Sequence, residues 1–156
     1  MKALVLSDSH GRTENLSAAL EREKDCELVF FLGDGEEDLE RVRPRFKDRK
    51  FIAKRGNNDY FSTFDDFAYK YVDGNTVVAC HGHTLGVKRS LLPLIEKAES
   101  VRANVALYGH THRTGCYYDR LSDIYVINPG ALCSGSYAVL KLEKGAVDVQ
   151  FKNIFA

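Results

Sequence analysis

The sequence predicts an α/β fold, with a parallel sheet followed by a second, mixed sheet. Through residues 3–54, apolar runs alternate with amphipathic stretches in the order strand–helix–strand–helix–strand. That alternation brings strands together in parallel, with helices on their faces. Beyond residue 66 the runs come in pairs around turn sequences, as antiparallel hairpins do. A further pattern runs through both halves: five apolar runs end in Asp, His, Asn and Gly. In an α/β sheet, sites form outside the carboxyl ends of the strands.

Residues 3–7 read as the first strand. Thr13 is placed to cap a helix reaching about Lys24, with Leu16, Ala19 and Leu20 at helical spacing. Residues 28–32 form the next strand. Glu36 opens a short helix that Pro44 stops near Arg43. Its acids come first and its bases last, which suits the helix dipole. Residues 51–54 make a third strand. Phe67–Val72 and Thr76–Cys80 flank Asp73-Gly74-Asn75, a hairpin signal. A helix is expected from about Lys88 to Ser100, with Pro93 kinking its first turns. A strand over 103–108 follows. Residues 116–120 are expected to pair with 124–127, and 137–142 with 146–151 across Glu143-Lys144-Gly145. These antiparallel pairs are expected to build the second sheet, packed on the first.

Composition bounds the function. With 156 residues, 44% of them hydrophobic, the chain reads as one globular domain over 1–156. No apolar stretch approaches the ~20 residues of a membrane span. Met1-Lys2 leads directly into a strand, without the regions of a signal peptide, so a cytoplasmic location is expected. Lys+Arg and Asp+Glu both count 22, so the basic excess of a general nucleic-acid or membrane-surface binder is missing. Cys26, Cys80, Cys116 and Cys133 are scattered, and are expected to be buried thiols rather than disulfides or a zinc knuckle.

The strand ends carry the chemistry. Gly109-His110-Thr111-His112 directly follows the run Val105–Tyr108. His10 follows the first strand in Ser7-Asp8-Ser9-His10, and His81 and His83 follow Thr76–Cys80. Gly33-Asp34-Gly35 and Gly56-Asn57-Asn58-Asp59 close two more runs. Imidazole is the commonest metal ligand among side chains. Asp8, His10, Asp34, Asn57, His81, His110 and His112 are therefore candidate ligands, with His83 the alternative to His81. Seven are too many for one zinc ion, which takes four. They suit two ions sharing one carboxylate, and Asp34 between two glycines is placed to be shared. Two dications outweigh Asp8 and Asp34, so the site keeps positive charge for an anion. Metals also lower the pKa of bound water towards ~7. Hydrolysis of a phosphate ester by a bridging hydroxide uses both features. The mixed nitrogen and oxygen ligands disfavour a pure Mg²⁺ or Ca²⁺ site and suit Mn²⁺, Fe, Ni²⁺, Co²⁺ or Zn²⁺ without choosing among them; Mn²⁺ is the ion expected first.

In order and spacing, Asp8-Ser9-His10, Gly33-Asp34, Gly56-Asn57-Asn58-Asp59, His81-Gly82-His83 and Gly109-His110-Thr111-His112 resemble the calcineurin-like metallophosphoesterases. The chain is most similar to their small YfcE-type phosphodiesterases, over residue 1 to about 135. The resemblance implies a four-layer α-β-β-α sandwich with two mixed sheets, the metallo-dependent phosphatase fold. It implies one metal on Asp8, His10, Asp34 and His112, and a second on Asp34, Asn57, His81 and His110. It also implies dimers or tetramers, and a small phosphate-ester substrate. A phosphomonoesterase or a hydrolase of nucleotides such as dinucleoside polyphosphates is the nearest alternative. The retromer scaffold subunit, which resembles this fold, supplies a non-enzymatic one.

Two positions depart from the pattern. Asn58 stands where many relatives carry a His thought to protonate the leaving group. Ala131 stands where Ser often follows Asn128-Pro129-Gly130, read here as a rigid turn. His83 is the candidate to contact phosphate or to replace the acid, so Asp34, Asn57 and His83 form the expected catalytic set. Asp59 reads as structural. Arg12 and Arg113 each follow a motif and could hold a phosphate oxygen, although solvated arginines are commoner. The run Arg41–Lys47 reads as a solvated surface beside the acidic Glu36–Glu40.

Overall fold

The computed structural model describes residues 1–156. Its elements are β1 (Lys2–Leu6), α1 (Thr13–Arg22), β2 (Leu28–Phe31), α2 (Glu36–Val42), β3 (Lys50–Ala53), β4 (Phe67–Val72), β5 (Asn75–Cys80), α3 (Leu92–Ser100), β6 (Val105–Leu107), β7 (Gly115–Asp119), β8 (Ile124–Asn128), β9 (Ser136–Glu143) and β10 (Ala146–Asn153). The first sheet runs β10-β9-β1-β2-β3, and the second β4-β5-β6-β8-β7.

Side-chain alternation explains the layering. Successive residues of a strand point to opposite faces. Ala3 and Val5, Leu28 and Phe30, Val77 and Ala79, and Val105 and Leu107 pack together between the sheets. Their neighbours Leu4 and Leu6, Val29 and Phe31 turn outward onto Leu16, Ala19 and Leu20 of α1 and Leu39 of α2. Val78, Cys80 and Ala106 turn outward from the second sheet onto Leu94, Ile95 and Ala98 of α3. Both sheets are thus covered on both faces, which is why their central strands read as continuous apolar runs. The result is the four-layer α-β-β-α sandwich.

Five expectations are corrected. The C-terminal hairpin joins the first sheet, not the second: β9 pairs antiparallel with β1, Leu4 opposite Val139. Leu140, Leu142 and Ala138 thereby enter the inter-sheet core. Thr13 is the first residue of α1 and not its cap; Arg12 holds that position, with no side-chain cap bond. The expected helix over 88–100 begins only at Leu92, so Pro93 starts it instead of kinking it, since a first-turn proline gives up an N–H that has no helical partner. His83–Leu85 form a separate 3₁₀ turn. Of the cysteines, all unpaired, only Cys26 and Cys80 are buried; Cys116 lies exposed on the edge strand β7. No helix is long and apolar enough to cross a membrane.

Candidate metal centre

β1, β2 and β3 run parallel, as do β5, β6 and β8. Their carboxyl ends deliver the candidate residues to one rim. Asp8, His10, Asp34, His110 and His112 all take positive φ, between 42° and 69°. Among side-chain-bearing residues Asp, Asn and His tolerate this region best, yet it still costs of order 1–3 kcal/mol each. The strain persists because the rim is tied together. Asp8 N–H donates to Gly33 O at 2.9 Å, His10 N–H to Asp34 O at 3.1 Å, and Cys133 N–H to Asp8 O at 3.0 Å. Glycine is required where the turns close in. A Cβ at Gly56 would overlap the Asp34 carboxylate, and one at Gly109 would sit 2.8 Å from Asp8 Oδ2.

The side chains fall into two groups. Asp8, His10 and His112 form one, and Asp34, His81 and His110 the other, each with its ligand atoms mutually within 4.8 Å. In the first, His112 Nε2 lies 3.2 Å and His10 Nε2 3.5 Å from Asp8 Oδ1. Asp8 Oδ2 is occupied, accepting from Ser7 Oγ at 2.6 Å and His110 N–H at 3.1 Å. Asp8 Oδ1 is buried without a hydrogen-bond partner. A carboxylate oxygen left so is costly unless a cation meets it.

In the second group, His81 Nε2 lies 3.0 Å from Asn57 Oδ1, 3.2 Å from His110 Nδ1 and 3.3 Å from Asp34 Oδ2. Its other nitrogen, Nδ1, lies 2.9 Å from Leu32 O. A carbonyl can only accept, so that nitrogen carries the proton and Nε2 presents a lone pair to the site. Asp34 Oδ2 is also 3.8 Å from His10 Nε2, so it faces both groups. Ligand atoms about 2.1 Å from a tetrahedral or octahedral ion lie roughly 3.0–3.4 Å apart; the spacings around His81 and from His112 to Asp8 match, while His10 stands wider, 3.5 Å from Asp8 Oδ1 and 3.8 Å from Asp34 Oδ2. The donor set thus fits two divalent ions.

Electrostatics reflect this crowding. Burial opposes ionisation of Asp34, but His81 and two hydrogen bonds from Asn58 outweigh it and hold the carboxyl well below its usual range. Burial opposes protonation of His81, yet Asp34 and Asp8 raise its pKa on balance. Burial, with His81 alongside, lowers both His83 and His110, and Lys88 lowers His110 further.

All seven expected ligands converge, and His83 stands beside them, its ring centroid 5.4 Å from that of His81. Its Nδ1 is buried without a partner. Arg12 is 63% exposed and faces Glu14 at 3.7 Å, while Arg113 is exposed, so neither is drawn into the centre.

The structure shows what holds these ligands in place. Asn58 donates its backbone N–H to Asp34 Oδ1 and its Nδ2 to Asp34 Oδ2, both at 2.8 Å. Asp59 accepts four backbone N–H groups, from Asp34, Gly35, Glu36 and Gly56, at 2.8–3.1 Å. It thereby caps α2 from another loop, in the structural role expected of it. Asp38 accepts from Ser9 Oγ at 2.6 Å and Gly11 N–H at 2.8 Å, fixing the loop that carries His10. Asn128 Nδ2 donates to Gly109 O at 3.1 Å and Thr111 Oγ1 at 3.0 Å, so the Asn-Pro-Gly turn pins the His110–His112 loop. Asp59 and the Asn-Pro-Gly turn carried a sequence signal for their parts; Asp38, and the grip of Asn58 on Asp34, did not.

Comparison with known proteins agrees with this geometry. The chain is 33% identical to a probable metallophosphoesterase, YsnB, of Bacillus subtilis, over 97% of this chain and 90% of that one. A predicted phosphoesterase from Streptococcus pneumoniae superposes with a TM-score of 0.83 at 22% identity, covering 99% of this chain and 90% of the other. A novel archaeal phosphodiesterase superposes with a TM-score of 0.72 at 26% identity, covering 97% and 100%. The model of the calcineurin-like phosphoesterase superfamily domain matches residues 1–145, all the strand-end residues included, and the chain belongs to that superfamily.

Proposed function

We propose that the protein is a phosphodiesterase acting on a small phosphate ester at a pair of divalent ions, with Mn²⁺ the first choice. One observation carries the reading: Asp34 Oδ2 faces His10 Nε2 at 3.8 Å and His81 Nε2 at 3.3 Å, so one carboxylate serves both groups. Asp8, His10, Asp34 and His112 hold one ion; Asp34, Asn57, His81 and His110 hold the other. Two ions there supply Lewis acidity for the phosphoryl oxygens and lower the pKa of water towards ~7.

The chain's own residues do the rest. The carbonyl of Leu32 keeps the His81 lone pair directed inward. Asn58 holds the shared carboxylate in place. His83 contacts the phosphate or gives a proton to the departing oxygen, the transfer that the Asn58 amide cannot perform. The archaeal phosphodiesterase at 26% identity supports the diester over the monoester.

The test is hydrolysis of bis-p-nitrophenyl phosphate and p-nitrophenyl phosphate by stripped protein, with Mn²⁺, Ni²⁺, Co²⁺ or Zn²⁺ returned singly. Diester turnover is expected to need both metal and Asp34, being lost in Asp34→Asn. His83→Ala is expected to cost about 10²-fold or more if His83 is a proton donor. A monoester preference would make the protein a phosphomonoesterase. Two bound ions without turnover of either ester would overturn the reading in favour of a scaffold.

A further inference from the structure

A cavity of about 580 Å³ opens beside the metal centre. His10 and Asp34 form one wall, and α2 with the loop after Asp59 forms the rest. That volume is in the range of small-molecule sites and larger than a phosphate requires, so it has room for an ester arm.

Its chemistry is one-sided. Apart from His10, every charged residue lining it is a carboxylate, with no Lys or Arg. Lys88 and Arg55, the cations that bear on His110 and His83, do not line it. Several of the acids already have partners. Asp38 and Asp59 hold backbone and hydroxyl donors, Glu37 meets Arg41 at 2.7 Å, and Glu40 meets Arg43 at 3.6 Å. Glu36 pairs with no cation, and its Oε2 is buried with no hydrogen-bond partner. Tyr60, 81% exposed, and Phe61, 97% exposed, line the same cavity. Aromatic faces combined with carboxylate are how proteins hold ammonium groups. A polyanionic arm would meet six carboxylates and no Lys or Arg.

Building on the phosphodiesterase reading, we infer that one ester arm of the substrate carries an ammonium group, as in choline or ethanolamine phosphodiesters, and that Glu36, Tyr60 and Phe61 receive it. This sets a dinucleoside polyphosphate aside as the preferred substrate.

The test compares p-nitrophenyl phosphorylcholine with p-nitrophenyl 3,3-dimethylbutyl phosphate, which has the same shape with carbon in place of the charged nitrogen. In both, water oxygen bonds to phosphorus, the bond to the nitrophenyl oxygen breaks, nitrophenolate leaves and a proton goes to solvent. The metal-loaded enzyme is expected to favour the choline ester by about 5–10-fold in kcat/KM at low salt, less at high salt. Glu36→Gln and Phe61→Ala are each expected to reduce that ratio at least about twofold. Calorimetry of phosphorylcholine against 3,3-dimethylbutyl phosphate on the same protein reads the preference without turnover. A ratio of one or below, or a ratio unchanged in both variants, overturns the inference. If bis-p-nitrophenyl phosphate is hydrolysed while the ratio is one, only this inference fails. If no ester is hydrolysed while phosphorylcholine still binds preferentially, the phosphodiesterase reading fails and the ammonium site stands.

Discussion

Asp59→Asn changes one atom at the rear of the metal centre. Asp59 Oδ2 accepts the N–H groups of Asp34 and Gly56, both at 2.8 Å, and Oδ1 those of Gly35 and Glu36, both at 3.1 Å. An asparagine keeps one oxygen and turns the other position into NH₂. Whichever way its amide is turned, two backbone donors face another donor. Hydrogen bonds to a charged group contribute about 1.5–3 kcal/mol each. Asp59 is only half-buried, so water takes up part of the loss, and the low end applies. The variant is therefore expected to lose roughly 2–4 kcal/mol. For a chain of this size that lowers Tm by roughly 4–16 °C. Urea unfolding of the metal-free proteins measures the loss without the linkage a bound ion would add. The midpoint should fall at unchanged m. Because the Asp34 N–H is one of the four donors, and Asp34 sits at a φ of 58°, the variant should also bind fewer than two divalent ions. A loss under about 0.5 kcal/mol with full metal binding would refute the reasoning, since it would mean that these bonds hold nothing that water does not replace.

Two further outcomes are expected. Asn58→Ala removes the side-chain bond to Asp34 Oδ2 and leaves the backbone bond to Oδ1, so stability should fall by about 0.5–1.5 kcal/mol. Diester turnover should fall by more than the change in KM, which kcat and KM measured separately would show. Metal uptake should release protons increasingly as pH falls: the raised pKa of His81 makes its protonated form stabilising in the metal-free protein below the unfolded value near 6.5, a contribution lost as pH rises through the folded pKa. An ion requires the neutral ring. Calorimetry in buffers of different ionisation enthalpy should find more protons released at pH 6.5 than at pH 8.5.

The rim was legible because strands buried on both faces leave unbroken apolar runs, and the residues directly after such a run must sit at a sheet end. His110 and Asp34 declare themselves in this way. The supporting bonds were not legible, because acceptor and donor are far apart in sequence and carry no local pattern. Asp38 looked like an ordinary acid in the first turn of α2, and Asn58 like a lost proton donor. The destination of β9–β10 was hidden for the same reason. A hairpin fixes the pairing of its own strands, but not which distant strand takes its free edge, and β9 takes β1 from the other end of the chain.

Each of the two groups draws its ligands from both sheets. Asp8, His10 and Asp34 follow β1 and β2, while His81, His110 and His112 follow β5 and β6. Nothing covalent nearby sets the gap between them; the thickness of the inter-sheet core does, through side chains such as Val5, Phe30, Ala79 and Leu107. The centre thus behaves as the jaws of a caliper whose opening is read out by core volume. A methylene added or removed at Ala79 or Phe30, out of reach of any substrate, changes the separation of the jaws before it changes any residue in them. Substitutions in this core that look like neutral repacking are therefore also adjustments of the gap that each ligand group spans between the sheets.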